Sequence, residues 1–257
     1  MSHHASTGPL ELARRALRSR APDQPVARRL FWFPHAGGSS TSFPSWHRFF
    51  PSNWEIAFLE VPIVDAGSEP ETLEDVLAIY LEAMRTRLDV PFGFFGHSLG
   101  ALFAFELTRR LVAEKLPPPT WIGLSARRPP HLASARGLPH SQMTDDELLS
   151  LVRSYGGTPP QILADAGFRE LLLDRLRRDL RWSERHEHRD GEALDLPMTL
   201  FSGTKDPSAP PEAVAEWQHY SKGPIETRVF EGGHFYLFTH RDAICQAIAR
   251  DLGASLE

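Results

Sequence analysis

Gly96-His97-Ser98-Leu99-Gly100 stands between an apolar run, Pro91 to Phe95, and a helix-like run, Ala101 to Leu111. A G-x-S-x-G pentapeptide in that strand–turn–helix setting reads as a sharp elbow that lifts a serine hydroxyl above a sheet edge. Glycines on either side of the serine are needed where a side chain would strike the neighbouring strand or helix. A glycine-bounded loop with a capping serine is the plainer reading of the same five residues.

Outward from the elbow, short apolar runs alternate with helical patterns. Leu30 to Phe33, Ile56 to Val61, Phe92 to Phe95, Trp121 to Leu124, Met198 to Phe201 and Ile225 to Phe230 read as strands. Continuous apolar strands are buried on both faces. Between them, Thr72 to Leu88 spaces Leu73, Val76, Leu77, Tyr80, Leu81, Met84 and Leu88 at helical intervals behind an N-capping threonine. A last helix is predicted over Arg241 to Leu252. This alternation predicts an α/β fold with a mostly parallel sheet and helices on both faces. Residues 26–257 form one such domain, and 1–25 read as a mobile or peripheral lead-in. Residues 126–196 break the pattern and are too many for a structureless loop. A capping box, Thr144 to Glu147, opens one helix there, and Phe168 to Trp182 reads as another. The expectation is an inserted helical lid, with Leu148, Leu151, Val152, Leu172 and Leu176 either lining a substrate chamber or packing the core.

Composition narrows the class. Among 257 residues, 41% are hydrophobic and 24% charged, as in ordinary globular proteins, and the net charge of −5 offers no bulk attraction to nucleic acid or anionic membrane. The lone Cys245 excludes an internal disulfide and reads as a small buried residue. With no membrane-length apolar run and no signal-peptide pattern, a cytoplasmic protein is the expectation; the sequence leaves the oligomeric state open, and a monomer is assumed.

A serine nucleophile needs a base, and the base needs an orienting group. Gly203-Thr204-Lys205-Asp206 follows one predicted strand, and Gly232-Gly233-His234-Phe235 follows the next. Ser98, Asp206 and His234 therefore stand in the chain order serine, acid, histidine, each after a strand, as the α/β-hydrolase signature requires. Asp65 comes in the wrong order, and His97 reads as structural. Oxyanion donors are expected from the backbone N–H of Leu99 and, in the glycine-rich loop Pro34-His35-Ala36-Gly37-Gly38-Ser39, from that of Ala36. The histidines show no metal-ligand spacing, so no metal or cofactor is expected. Arg127 and Arg128, with Arg136 beyond them, form a basic run with no acid among them and are the candidate docking residues for a partner.

Phe33-Pro34-His35-Ala36-Gly37-Gly38-Ser39, Gly96-His97-Ser98-Leu99-Gly100-Ala101, Ser202-Gly203-Thr204-Lys205-Asp206 and Gly232-Gly233-His234-Phe235 together resemble the stand-alone type II thioesterases of polyketide and nonribosomal peptide synthesis. The resemblance covers about residues 28–252. It implies an α/β-hydrolase fold with a helical lid, and hydrolysis of acyl groups misloaded on the phosphopantetheine arm of a carrier protein. It also implies Ser98, Asp206 and His234 as the catalytic triad and Ala36 and Leu99 as the oxyanion hole. One loop departs from the family: Val61 to Gly67 carries Ile63 and Val64 where most members have glycine and arginine. An esterase or acyltransferase acting on a small molecule would use the same triad. A carrier-binding module without turnover would have no use for it.

Overall fold

The computed structural model describes residues 9–20, 22–61, 69–132, 139–189 and 191–254. In chain order these form α1 (Pro9–Ala16), β1 (Leu17–Arg20), β2 (Arg28–Phe33), β3 (Trp54–Leu59), α2 (Leu73–Met84), β4 (Phe92–His97), α3 (Leu99–Ala113) and β5 (Trp121–Ser125). There follow α4 (Asp145–Tyr155), α5 (Pro160–Ala164), α6 (Ala166–Arg185), β6 (Met198–Gly203), α7 (Pro211–Ala215), β7 (Ile225–Phe230), α8 (Tyr236–Thr239) and α9 (Arg241–Ala254).

The strands form one sheet in the order β1-β3-β2-β4-β5-β6-β7. All neighbours run parallel except β1, which pairs antiparallel with β3. Both faces are covered, which is why the central strands read as unbroken apolar runs. On β2, Phe31 and Phe33 face the side of α2 and α3, while Leu30 and Trp32 face the side of α9, as alternation along a strand demands. The chain order reverses direction across the sheet between β2 and β4. Ligand crevices open at such switch points, outside the carboxyl ends of the strands.

Two local expectations have a direct structural reason. Thr72 Oγ1 accepts from the Asp75 N–H at 3.1 Å and caps α2. Thr144 and Glu147 close the capping box that starts α4.

The lead-in is a correction. Residues 9–20 are not a mobile tail: α1 buries Leu12, Ala13 and Ala16, and β1 adds an edge strand by pairing Leu17 with Leu59. The strand reads Leu-Arg-Ser-Arg and has no apolar alternation, because only its backbone is used for pairing. The segment 126–196 holds α4, α5 and α6, with α6 packed on α2 and α3. The atypical residues 62–67, including Asp65, and Arg136 lie outside the described residues.

Candidate active site

The elbow follows from close approach of backbone. A β-carbon on Gly96 would stand 2.1 Å from the Gly100 carbonyl oxygen, and one on Gly100 would stand 2.0 Å from that of Phe33. Neither position admits any side chain. Between them Ser98 adopts φ 55° and ψ −116°, a backbone region that non-glycine residues avoid. Its N–H donates to the Ser125 carbonyl at 2.8 Å, which anchors the strained turn to β5. Strain held by the surrounding structure is a frequent mark of functional positions.

Asp206 and His234 leave the carboxyl ends of β6 and β7, as their loops predict. His234 Nδ1 and Asp206 Oδ2 are 2.7 Å apart, and both residues are buried. The other carboxylate oxygen accepts from Ser208 Oγ at 2.7 Å and from the N–H groups of Ser208 and Ala209 at 2.9 and 3.2 Å. Burial pushes the Asp206 carboxyl up, but the His234 hydrogen bond and charge and the Ser208 donors outweigh it and hold it below the usual range. A carboxylate on Nδ1 leaves Nε2 of the imidazole as the atom that can take a proton.

Neighbouring rings fix that imidazole. The His97 and Tyr155 ring centroids lie 5.2 and 4.9 Å from that of His234. His97, inside the elbow, is fully buried and shares a 2.8 Å hydrogen bond through Nδ1 with Ser125 Oγ, which in turn bonds the Tyr236 hydroxyl at 2.6 Å. Burial, then the His234 and His35 rings, push its imidazole well below the ordinary value. Ser208 and Tyr155 escaped the sequence reading. The Asp-x-Ser turn was a signal for Ser208; a tyrosine at the end of a lid helix gives none for Tyr155.

On the β2 side, the loop that carries Ala36 starts against the elbow, where the Phe33 and Pro34 carbonyls crowd Gly100. Among the described residues no hydrogen bond engages the N–H of Ala36 or Leu99. Gly37, at φ +74°, turns its own N–H to Asp179 Oδ2 of α6, 2.8 Å away.

The arginines and leucines sort differently from expectation. Arg127 is half-buried and donates to Ser183 Oγ of α6 at 2.8 Å; burial lowers its guanidinium to about 10. Arg128 Nε donates to the Ser208 carbonyl at 2.6 Å. Both side chains brace the interior of the site, so neither is a free docking cation. Leu148 is fully buried with Leu149, Leu163 and Leu173 in the lid's own cluster, so it lines no chamber. Leu151 and Val152 pack against that cluster. Leu172 and Leu176 pack against that cluster too, and they also border the Gly37 loop, where a β-carbon on Gly37 would meet them at 3.2 and 3.8 Å.

Histidines do gather at ligand spacing elsewhere. Glu106, His186 and His188, and separately His131, Glu216 and His219, bring ligand atoms within 4.8 Å of one another. Arg109 already pairs with Glu106 at 3.1 Å, and neither group includes Ser98, Asp206 or His234. Cys245 is buried, with its thiol pushed up to about 12 by that burial, which suits a packing residue.

Residues 28–252 match the Thioesterase domain family. The chain belongs to this thioesterase family. It is thus a thioester hydrolase. Over 227 residues this thioesterase is 30% identical to gramicidin S biosynthesis protein GrsT of Aneurinibacillus migulanus, covering 87% of this chain and 88% of that one. Over 236 residues it is 35% identical to thioesterase PikA5 of Streptomyces venezuelae, covering 90% and 83%. The type II thioesterase BorB from the borrelidin biosynthetic cluster superposes with a TM-score of 0.82 at 31% identity, over 92% of this chain and 97% of that one. RedJ from the prodiginine pathway of Streptomyces coelicolor gives 0.80 at 30% identity, over 90% and 93%. No helix among the described residues is long and apolar enough to cross a membrane.

Proposed function

We propose that this thioesterase removes stalled or misprimed acyl groups from the phosphopantetheine arm of a carrier protein in polyketide or nonribosomal peptide synthesis. The observation that carries the reading is the His234–Asp206 pair, 2.7 Å apart, on the same sheet edge as the strained Ser98 elbow. The names of the similar proteins GrsT, PikA5, BorB and RedJ support the pathway class.

Ser98 Oγ attacks the thioester carbonyl while His234 Nε2 takes its proton and Asp206 holds the imidazolium. The Ala36 and Leu99 N–H groups receive the developing oxyanion. The C–S bond breaks, and the pantetheine thiolate, a ready leaving group, picks up the proton from the His234 imidazolium, which restores the base. Water then attacks the acyl-serine, His234 takes its proton and passes it to Ser98 Oγ as that ester bond breaks, and the free acid departs. The chemistry calls for no metal or cofactor. The enzyme acts as a cytoplasmic monomer on its carrier partner.

Intact-mass analysis of a panel of acyl-carrier proteins, incubated with wild type and with Ser98→Ala, tests the reading. Loss of acyl groups with wild type alone is expected. Acyl groups that persist with both proteins would redirect the search to small-molecule esters or acyl acceptors.

A further inference from the structure

We infer that Asp179 is a positioning residue for the oxyanion loop, acting through the Gly37 backbone and coupling the lid helix to transition-state stabilisation. The inference rests on the proposed role of the Ala36 N–H.

The peptide between Ala36 and Gly37 is one rigid plane. Its N–H donates to Asp179 Oδ2 at 2.8 Å, so the carboxylate sets the orientation of that plane and with it the Ala36 backbone. The bond also takes the Gly37 N–H out of competition, leaving the preceding N–H for the reacting carbonyl oxygen. The carboxylate is itself held. Asp179 and Arg178 are each 6% exposed, and Asp179 Oδ1 accepts from Arg178 Nε and Nη2 at 3.1 and 2.9 Å. The Arg178 guanidinium lies 5.0 Å from the Trp182 ring centroid, and Trp182 Nε1 donates to the Pro70 carbonyl at 3.0 Å. One face of α6 is therefore keyed into the body of the domain, and Asp179 supplies its hydrogen bond to the Gly37 loop. A hydrogen bond that a backbone N–H donates to a carboxylate is among the stronger ones. If α6 shifts, the oxyanion donor loses its alignment.

The test is steady-state hydrolysis of a small acyl-pantetheine thioester, per active site counted by endpoint fluorophosphonate titration. Asp179→Ala is expected to lower kcat roughly ten- to a hundredfold while KM moves by less than about threefold, because oxyanion contacts are made in the transition state. Asp179→Asn keeps a side-chain carbonyl for Gly37 and is expected to recover most of kcat. The rate of fluorophosphonate inactivation, whose adduct places an oxygen in the same hole, should fall in parallel in Asp179→Ala. The double variant Arg178→Met, Asp179→Ala removes the buried cation with its acid and carries the same comparison if the single variant does not fold. A kcat per titrated site within about threefold of wild type, or an Asn variant as impaired as the Ala variant, overturns the inference. If wild type is labelled at Ser98 yet hydrolyses no thioester, the proposed function fails, and the ratio of labelling rates still decides the role of Asp179.

Discussion

Arg127 and Ser183 meet across the junction between the sheet and the lid: Arg127 Nη2 donates to Ser183 Oγ at 2.8 Å, joining the chain after β5 to α6. Trp217 Nε1 donates to the Arg127 carbonyl at 2.7 Å, so backbone and side chain are both held. Arg128 extends the same brace to Ser208, beside Asp206.

Arg127→Glu with Arg128→Glu is therefore expected to impair carrier-bound and small thioesters alike. Each broken internal hydrogen bond costs about 1–3 kcal/mol where it strands a buried partner. A fall in Tm of roughly 3–10 °C should accompany the loss. Parallel kcat/KM measurements on the two substrates check this; a defect confined to the carrier-bound substrate would restore a docking role to these arginines.

Gly100→Ala places a methyl group where the Phe33 carbonyl already stands, 2.0 Å away. Backbone cannot yield as a flexible side chain does. The expected cost exceeds the roughly 1–3 kcal/mol of ordinary overpacking. Soluble yield and thermal melting would reveal it, and a Gly100→Ala protein that melts like wild type would refute the close-approach account of the elbow.

Acid should weaken the fold through His35. Burial, then the charges of His234 and Arg175, push its imidazole from 6.5 down to about 3. Between those values the unfolded chain holds a proton that the folded chain does not. Stability therefore falls as pH drops below about 6.5, by at most about 1.4 kcal/mol per unit for one histidine. His97 is shifted in the same direction and adds to the slope. Urea unfolding at pH 7 and pH 5 should show a smaller difference for His35→Phe than for wild type. Equal differences would remove His35 from the account.

Leu148 and Leu172 should separate cleanly. Leu148 is 0% exposed within the lid cluster, so Leu148→Ala is expected to cost about 2–5 kcal/mol and leave the ranking of acyl substrates unchanged. Leu172 reaches the Gly37 loop, and Leu172→Ala should change that ranking. Competition assays on mixed acyl chains, with melting curves alongside, distinguish the two; an altered ranking in Leu148→Ala would return that residue to the substrate chamber.

Most of the sheet was legible in the sequence because burial on both faces writes itself as apolar runs. Phe92 to Phe95 and Met198 to Phe201 needed no other signal. The helices over 73–84 and 145–155 were announced by Thr72 and Thr144, whose caps act within one turn. The edge strand at Leu17–Arg20 was illegible, since its pairing with β3 uses backbone groups and places no demand on side chains. The roles of Arg127 and Arg128 were misread for a related reason. A cation looks alike in sequence whether it faces solvent or an interior carbonyl.

By itself, the sequence determined the alternating architecture, the elbow at Ser98, and the loops after strands that carry Asp206 and His234. Each depends on local period, turn chemistry or chain order. Only the tertiary structure decided that Asp179 meets the Gly37 N–H, that Arg127 meets Ser183, and that Tyr155 lies over His234. Those partners are distant in the chain. No residue pattern encodes which of many polar groups a buried side chain will reach, because that choice is made by how α4 packs on α6 and α6 on α2 and α3.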